Sequence, residues 1–453
     1  MTVARTLADF LTGTSVADLP AQAMDHAAMI IASTFASAAF GSGISSARII
    51  REMAVERGGR PDASVWFHPG MKLPVADAAQ VNAVASDAAA SDDSDLRNIV
   101  HAGTPLTAAS LAIAERDGLS GEAVLTAMVL GYEAAGRISE AITPGFRNRG
   151  FHGCLGAVFA AAVASARLLR LDGARMAQTI AIAATSIGGL ATAADTSTAR
   201  EYHAGLAVQQ GVNAALAAQR GYQAEERILE APKGFFEAFG GINGAAGGAV
   251  ATAELGKSWD IITDMAIKLV PGGHPYHAFA EAAANASRAG NVAADEVESI
   301  TVSRPGLTAL SGPLHPANLI DMAHSPAYFT AAGVADKRFS WVHATPEKIS
   351  DPIIHRLIDK VRVGPPPEAD TERYRQGAAV TIKLRDGRIF TNTVHAPKGS
   401  GLLGIAWRDV DAKYHALTGF SAVRGREAAA ILSLIHDFRH LTQVSALTSA
   451  LSS

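Results

Sequence analysis

The sequence predicts a mainly α-helical protein in which a smaller α+β domain interrupts a large, discontinuous helical bundle. From residue 2 to about 266, apolar residues return every three or four positions with alanine as the main filler, which is the helical period. Between residues 297 and 394, four short stretches alternate in polarity as half-buried strands do. After residue 401 the helical period returns. The predicted domains are therefore residues 1–266 with 400–453, all helical, and residues 267–399, α+β.

Several local signals place the helices of the first domain. Pro20 precedes one helix, Pro105 lies in the first turn of another, and Gly118 ends that second helix. A helix over residues 153–171 carries an apolar stripe of Leu155, Val158, Phe159, Ala162, Val163 and Ala166. So much alanine and glycine predicts helices that pack closely in a bundle.

The second predicted domain contains strands over residues 297–302, 360–363, 378–384 and 388–394. Asp386 and Gly387 join the last two strands as a hairpin turn. Helical patterns cover residues 325–335 and 351–359. Further amphipathic helices follow residue 401, and because they need an apolar partner we expect them to pack on the first domain.

Composition narrows the function classes. The chain has 453 residues, 48% of them hydrophobic, and a net charge of −4, which gives no general attraction to nucleic acid or to an anionic membrane. A single cysteine, Cys154, rules out an intramolecular disulfide and a cysteine-rich zinc site. No signal peptide is recognisable, and the apolar run at residues 27–40 is too short to span a bilayer. We expect a soluble cytoplasmic protein that forms a homodimer.

Two basic clusters indicate a site for a small polyanion. Arg147, Arg149 and His152 lie in a glycine-rich turn ahead of a predicted helix, where guanidinium groups and helix N-terminal amides both favour carboxylates. Arg200 and His203 lie three residues apart, on one face of another helix. The structural alternative is a surface pair of arginines beside a capping or core histidine.

A polar island at residues 92–95, with the sequence Asp-Asp-Ser-Asp, precedes His101. One interpretation is a solvated loop whose aspartates cap the next helix. The functional interpretation is that Asp93 orients a base or accepts a hydrogen bond from substrate, while His101 titrates near neutral pH.

Two further candidates carry weaker signals. Cys154 follows His152 by two residues, but a cysteine that leads an apolar helix stripe is more often a core residue than a nucleophile. His274 and His277 are spaced to chelate, yet no carboxylate is positioned nearby as a third ligand. We therefore predict no metal site.

Six short motifs, which follow one another in this order along the sequence, resemble those of the MmgE/PrpD family. They are Asp-Asp-Ser at 92–94 with His101, Gly-Tyr-Glu at 131–133, Gly-Phe-His at 150–152, Tyr-His-Ala-Gly-Leu-Ala at 202–207, Ile-Leu-Glu at 228–230 with Gly-Phe-Phe at 234–236, and Lys268 with Pro271 and His277. The family includes 2-methylcitrate dehydratase, cis-aconitate decarboxylase and iminodisuccinate epimerase. The resemblance implies a helical domain with an inserted α+β lid, an active site between them, a dimer, and no metal or cofactor.

The resemblance also assigns candidate roles. His101, His152 and Lys268 would be the catalytic acids or bases. The substrate-binding candidates are Asp93, Arg147, Arg149, Arg200, His274 and His277. Arg200 stands where relatives have a lysine, and arginine does not release a proton at working pH. An epimerase needs only two opposed acid–base groups, whereas a dehydratase also needs an acid for the departing hydroxyl.

The departure at Arg200 therefore favours an epimerase of the iminodisuccinate type, acting on a small polycarboxylate. The alternatives, in order, are a dehydratase of a 2-methylcitrate-like acid, a decarboxylase of the cis-aconitate type, and a non-catalytic anion-binding protein.

Overall fold

The computed structural model describes residues 1–420 and 425–451. The chain divides into two compact units, which consist of residues 1–267 with 405–453 and of residues 268–404. The protein is mainly α-helical, as the sequence predicts.

The first unit contains thirteen helices before residue 268 among the residues described. They are α1 Val3–Gly13, α2 Ala21–Gly41, α3 Ser45–Arg57, α4 Val75–Ala88, α5 Gly103–Asp117, α6 Gly121–Ile142, α7 Gly145–Asn148, α8 Cys154–Leu168, α9 Gly173–Ala184, α10 Ala191–Thr196, α11 Ala199–Gln219, α12 Gly244–Ala251 and α13 Asp260–Thr263. The expected start and stop signals hold: Pro20 directly precedes α2, and Gly118 ends α5 in the left-handed conformation.

Helix α8 lies at the centre of this unit, between α6 and α11. It is buried almost all round, so the predicted apolar stripe is part of a helix without a solvent face. Glycines let its neighbours approach: a Cβ on Gly131 of α6 would lie 2.7 Å from the carbonyl oxygen of Ala160, and one on Gly211 of α11 would lie 2.7 Å from that of Val158. The predicted close packing of small residues is confirmed.

Two short antiparallel sheets make this unit less purely helical than the sequence predicts. The first joins β1 Ala63–Ser64 to β2 Lys72–Leu73. The second joins β3 Asp93–Asp95 to β4 Met265–Ile267, with Asp93 opposite Ile267. A polar strand of three residues has no apolar alternation, which is why the sequence pattern misses β3.

The C-terminal residues of the first unit form α19 Trp407–Thr418, α20 Gly425–His436 and α21 Ser445–Ala450, numbered after the helices of the second unit. Helix α19 packs on α2, and its buried Lys413 donates hydrogen bonds to Ser33 Oγ at 2.6 Å and to the carbonyl oxygen of Ser91. The tail is thereby tied to the residue that directly precedes Asp92.

Helix α2 is also relevant to membranes. Within the described residues, it is the one helix long and apolar enough to cross a bilayer, and 89% of its most apolar window is buried. Such burial is typical of a core helix.

The second unit combines helices with a four-stranded sheet. Its strands are β5 Val297–Ser303, β6 Val361–Val363, β7 Ala378–Leu384 and β8 Ile389–Val394, and its helices are α14 His274–Ala289, α15 Leu319–Ala323, α16 Pro326–Asp336, α17 Pro346–Ile349 and α18 Pro352–Ile358. The strand order is β6-β5-β7-β8, with β5 and β6 parallel and the other pairs antiparallel. Helix α14 packs on β7, on β8 and on α16.

All four strands and both helices expected from the sequence between residues 297 and 394 form within about one residue of their predicted bounds. The hairpin at Asp386 and Gly387 forms too, with Gly387 at a φ of +91°. The apolar residues of β5 and β7 that alternate along the sequence are the ones buried against the helices.

Candidate active site

A strained turn brings His101 back alongside β3. The amide of Asp95 donates to the carbonyl oxygen of Val100 at 2.9 Å, and the amide of Ile99 donates to that of Asp95 at 2.7 Å. Ile99 has a φ of +56°, a conformation that costs a β-branched residue on the order of 1–3 kcal/mol. The fold holds this turn although it is unfavourable locally, and the result is a fixed position for the imidazole of His101.

The imidazole of His101 is anchored through one nitrogen. Its Nδ1 lies 2.6 Å from the carbonyl oxygen of Asp93, 2.9 Å from a carboxylate oxygen of Asp92, and 3.2 Å from Ser94 Oγ. A carbonyl oxygen only accepts hydrogen bonds, so Nδ1 carries the proton and the lone pair of the neutral ring is on Nε2. The buried Asp92 carboxylate also favours the charged imidazolium. His101 is therefore built to exchange a proton at Nε2.

The backbone carbonyl of Asp93 orients His101, while the Asp93 side chain accepts a hydrogen bond at the start of the next helix. Its carboxylate accepts a hydrogen bond of 2.8 Å from the amide of Gly103, the first residue of α5. A Cβ on Gly103 would lie 2.4 Å from that carboxylate oxygen, so the contact depends on glycine. Burial, and then the nearby Asp92 carboxylate, raise the pKa of Asp93 to about 6.

The alternative of a solvated loop at residues 92–95 is wrong, because all four residues are buried. One part of that alternative is correct, because the Asp93 carboxylate accepts a hydrogen bond from the first residue of α5.

His101 and His152 line one small cavity. It encloses about 10 Å³, room for about one water molecule, and marks where the two imidazoles meet. The other residues that line it are Asp87, Thr104, Pro105, Gly153, Cys154, Ala157 and Ala204. His152 lies directly before α8, where its amide donates to the carbonyl oxygen of Gly189 at 2.9 Å. The two candidate bases that belong to the first unit are thus neighbours in space.

His152 is held neutral. Burial lowers its pKa well below the ordinary histidine value, and the positive charges of His101, His203, Arg147 and Arg200 lower it further. Its ring centroid lies 5.2 Å from that of His203, whose pKa is also lowered by burial. The cavity therefore pairs a histidine whose positive charge is supported, His101, with one that stays neutral.

Arg200 lies beside this cavity but is paired. Its Nε donates to the carboxylate of Asp87 at 3.2 Å and one Nη donates to the backbone carbonyl of Asp87 at 2.8 Å. A guanidinium has five N–H donors, so this pairing leaves donor capacity for a further carboxylate. Asp87 and Arg200 together form a fixed dipole at the edge of the cavity.

The two arginines of the basic turn lie at the surface. Arg147 is exposed, and its Nη2 donates to the carbonyl oxygen of Ile99 at 3.4 Å, within the turn that carries His101. Arg149 is exposed beside Gly241, and it is not among the described residues that line the cavity. The structure therefore associates Arg147, and not Arg149, with the turn that positions His101.

Lys268, His274 and His277 belong to the second unit. The rings of His274 and His277 are 4.7 Å apart, and His277 Nε2 donates to the carbonyl oxygen of Gly272 at 3.3 Å. His277 also lines a cavity of about 350 Å³ within this unit, together with Glu281, Arg288, Arg338 and Lys398 among others. Within the described residues, His274 and His277 have no third ligand that would complete a metal site.

Sequence reasoning missed Asp87, which lines the cavity, and gave no catalytic role to Asp92 or His203, which lie beside the histidines of the cavity. Asp92 stands in the recognised motif, but the side of β3 on which each carboxylate falls depends on pairing with β4, far along the chain. Asp87 lies on α4, more than a hundred residues from its partner Arg200, and has no local signal. His203 was visible as a neighbour of Arg200, and its approach to His152 depends on how α11 packs on α8.

The fold and this cavity define a class: a mainly helical protein in two units, with an aspartate-anchored histidine opposite a neutral one. Residues 5–246 match the MmgE/PrpD N-terminal domain, and residues 271–436 match the MmgE/PrpD C-terminal domain. The chain belongs to the MmgE/PrpD family.

Two of the curated relatives are similar over most of their length, and a third over slightly less than half of it. The chain is 25% identical to the cis-aconitate decarboxylase of Homo sapiens over 402 residues, which are 86% of this chain and 82% of the relative. The mouse enzyme of the same name is 25% identical over 409 residues, 86% of this chain and 81% of the relative. The cis-aconitate decarboxylase of Aspergillus terreus is 30% identical over 230 residues, which are 48% of this chain and 46% of the relative.

Proposed function

We propose that the protein is a lyase that decarboxylates cis-aconitate or a closely related small polycarboxylate. The relatives that carry this activity in their names support the class. The observation that carries the proposal is the Asp92–His101 pair at the cavity, in which Nδ1 of the imidazole contacts the Asp92 carboxylate and the carbonyl oxygen of Asp93.

The reaction has two chemical demands. The carbon–carbon bond to one carboxylate breaks, and its electron pair passes into an allylic carbanion that is conjugated to a remaining carboxylate. A proton then adds to the carbon at the far end of that system, which gives CO₂ and an unsaturated five-carbon dicarboxylate. The protein must hold the retained carboxylates and supply one proton.

The residues of the first unit match these demands. His101 as an imidazolium, supported by the Asp92 carboxylate, would donate the proton from Nε2. Arg200 and Arg147 would supply positive charge for the retained carboxylates, with Arg200 held in place by Asp87. Lys268, His274, His277, Asp93 and Arg149 keep their proposed binding or catalytic roles only through the family resemblance.

The relatives favour a lyase over the epimerase that the sequence alone predicts. The prediction of an epimerase rests on the absence of a proton-donating lysine at position 200. The site, however, contains two other titratable groups, His101 and His152. A dehydratase of a 2-methylcitrate-like acid is the second candidate, because His101 beside the Asp92 carboxylate and the neutral His152 line one cavity and would also serve as an acid and a base.

Incubation of the protein with single substrates in D₂O, followed by proton NMR, separates these activities. We expect cis-aconitate to yield CO₂ and a dicarboxylate with one solvent deuterium in its new methylene group. Formation of an enoate from 2-methylcitrate would support the dehydratase instead. Exchange of the α-proton of a chiral aminodicarboxylate with loss of optical activity would support the epimerase, and no turnover of any substrate would favour the anion-binding alternative.

We expect turnover without added metal or cofactor, and we expect the active species to be a homodimer. Treatment with a chelator should leave the rate unchanged, and size-exclusion chromatography with light scattering measures the oligomeric state.

A further inference from the structure

We propose that His152, Cys154 and His203 form a binding site for a divalent ion of the zinc class. One ligand atom from each residue lies within 4.8 Å of the others, and this is the group of three such side chains found among the described residues. The set comprises two imidazole nitrogens and one thiol, held between the start of α8 and α11.

Both imidazoles present a buried nitrogen without a hydrogen-bond partner. Nδ1 of His152 and Nδ1 of His203 are inaccessible to solvent and contact no donor or acceptor of the protein. His203 as a whole is 9% exposed. A buried polar atom that lacks a partner costs about 1–3 kcal/mol, so a water molecule or an ion bound between the two rings would stabilise the protein.

Gly189 keeps the space between the ligands open. A Cβ at this position would lie 2.6 Å from Cys154 Sγ and 3.2 Å from His203 Nδ1. The backbone of Gly189 is fixed at the same point, because its carbonyl oxygen accepts the hydrogen bond from the amide of His152. Any larger residue would fill the volume towards which the sulfur and the imidazole are directed.

The chemistry of this ligand set selects the ion. Imidazole and thiolate suit zinc and similar borderline ions, whereas Mg²⁺ and Ca²⁺ prefer oxygen ligands. Zinc bonds of about 2.0–2.3 Å place tetrahedral ligand atoms about 3.5 Å apart, so the three side chains need to close by about 1 Å. On binding, the thiol of Cys154 releases its proton to solvent and the sulfur bonds to the metal. The fourth position stays open to water or to a carboxylate.

The site shares His152 with the proposed reaction centre. If the proposed function holds, a bound ion removes the lone pair of one of the two histidines at the cavity and inhibits turnover. Binding itself does not depend on that function, because it can be measured without any substrate.

Cobalt(II) is the probe that tests the site. Titration of the metal-free protein should give one Co²⁺ per chain with tetrahedral absorption bands and a sulfur-to-cobalt charge-transfer band. Because Cys154 is the chain's single cysteine, that band reports this site alone. Cys154→Ala should remove the band, and Cys154→Ala and His203→Asn should each weaken Zn²⁺ binding by more than roughly 100-fold.

Gly189→Ala places a methyl group in the space between the three side chains but removes none of them, and it should also weaken Zn²⁺ binding. The matched control is His355→Asn, which breaks an exposed histidine pair in the second unit where the His315 and His355 Nδ1 atoms are 2.9 Å apart. That control should leave the charge-transfer band unchanged.

Absence of the charge-transfer band in the wild-type protein, or unchanged Zn²⁺ affinity in Cys154→Ala, would overturn the proposal. A protein that binds one Co²⁺ through sulfur but turns over no substrate would retain the metal site and refute the proposed function. A protein that decarboxylates cis-aconitate but binds no Co²⁺ would do the reverse.

Discussion

Two buried clusters of titratable residues both include side chains of residues 92–101 in the first unit, and their members interact in different ways. The site cluster consists of Asp92, His101 and His152. The anchor cluster consists of Asp95, Arg97, Asp260 and Glu133 with their partners. In the site cluster one imidazole is fixed by a single nitrogen and the other is neutral. In the anchor cluster the opposite charges contact one another directly.

Arg97 is the centre of the anchor cluster. Its guanidinium reaches Asp260 at 2.6 Å, Glu140 at 2.7 Å and Asp264 at 3.5 Å. Its amide donates to a carboxylate oxygen of Asp95 at 2.8 Å.

Glu133 extends the anchor cluster. It accepts hydrogen bonds from Arg137 at 2.5 Å and from the amide of Asp260 at 2.9 Å. Two guanidinium groups are thus shared among several carboxyl groups in this cluster, and these contacts tie α6 and α13 to the turn before His101.

The difference teaches that burial and shifted pKa values do not by themselves indicate catalysis. Asp95 and Asp260 have raised pKa values, mainly through burial, although they lie in the anchor cluster. What distinguishes the site cluster is a pair of imidazoles that line a cavity, one of which is anchored at Nδ1.

The largest expected effect comes from removing the proton donor of the site cluster. His101→Gln keeps the size of the side chain but does not titrate, so the turnover number should fall by about 10²–10⁴-fold. Steady-state decarboxylation rates measure this, with circular dichroism as the control for folding. A folded variant that retains the wild-type rate would remove His101 from the mechanism.

Breaking the anchor cluster should act on stability instead. Arg97→Leu leaves the buried carboxylate of Asp260 without the guanidinium that contacts it at 2.6 Å, so the free energy of unfolding should fall by about 3–5 kcal/mol. Chemical denaturation measures it. If the variant is as stable as the wild type, the cluster does not have the structural role assigned to it.

Loss of the Asp92 charge should have an intermediate effect on rate. Asp92→Asn keeps a hydrogen-bond acceptor near His101 Nδ1 but removes support for the imidazolium, so we expect a fall in turnover of about 10–100-fold with a shifted pH profile.

The matched control for this variant is Asp336→Asn in the second unit. Asp336 also pairs with a histidine, at 3.1 Å from His343 Nε2, but the other nitrogen of that ring faces Ser340. Equal losses of activity in the two variants would point to a general structural effect.

The last expected effect concerns the pH dependence of stability. Burial, and then the charge of Asp264, raise the pKa of Asp95 to about 7. Between pH about 4 and 7 the folded protein keeps a proton that the unfolded chain releases, so the free energy of unfolding falls as pH rises through this window.

Asp95→Asn removes this titration while it retains the oxygen that accepts from the amide of Arg97. The second carboxylate oxygen of Asp95 has no partner, so an amide replaces it at little cost. Denaturation at several pH values should show a flatter profile for the variant, by up to about 4 kcal/mol across the window. Parallel profiles would show that Asp95 is ionised in the folded protein.

Much of the secondary structure was predictable because it follows from local periodicity. Pro20, Gly118 and the Asp386–Gly387 turn act through their own backbone preferences, so their neighbours in sequence suffice to place them. Strand β3 was not predictable in this way, since its pairing with β4 spans about 170 residues and its side chains are polar.

The residues of the candidate site also fall into two groups, those that local sequence identifies and those that only tertiary packing brings in. His101 and His152 stand in recognisable motifs, and the structure brings them to one cavity. The charged groups around these imidazoles could not be assigned from local sequence. Asp92 meets His101 only because of the strained turn at Ile99, and Asp87 reaches Arg200 from another helix. Local sequence thus identified the imidazoles, and tertiary packing supplied the charges that tune them.

The central claim is that His101 delivers the proton that completes decarboxylation. Its most direct test is proton NMR of cis-aconitate turnover in D₂O by the wild type, by His101→Gln and by Arg97→Leu below its unfolding temperature. We predict one deuterium per CO₂ in the new methylene group for the wild type and for folded Arg97→Leu, and loss of turnover in His101→Gln. Undiminished deuterated product from folded His101→Gln would contradict the account.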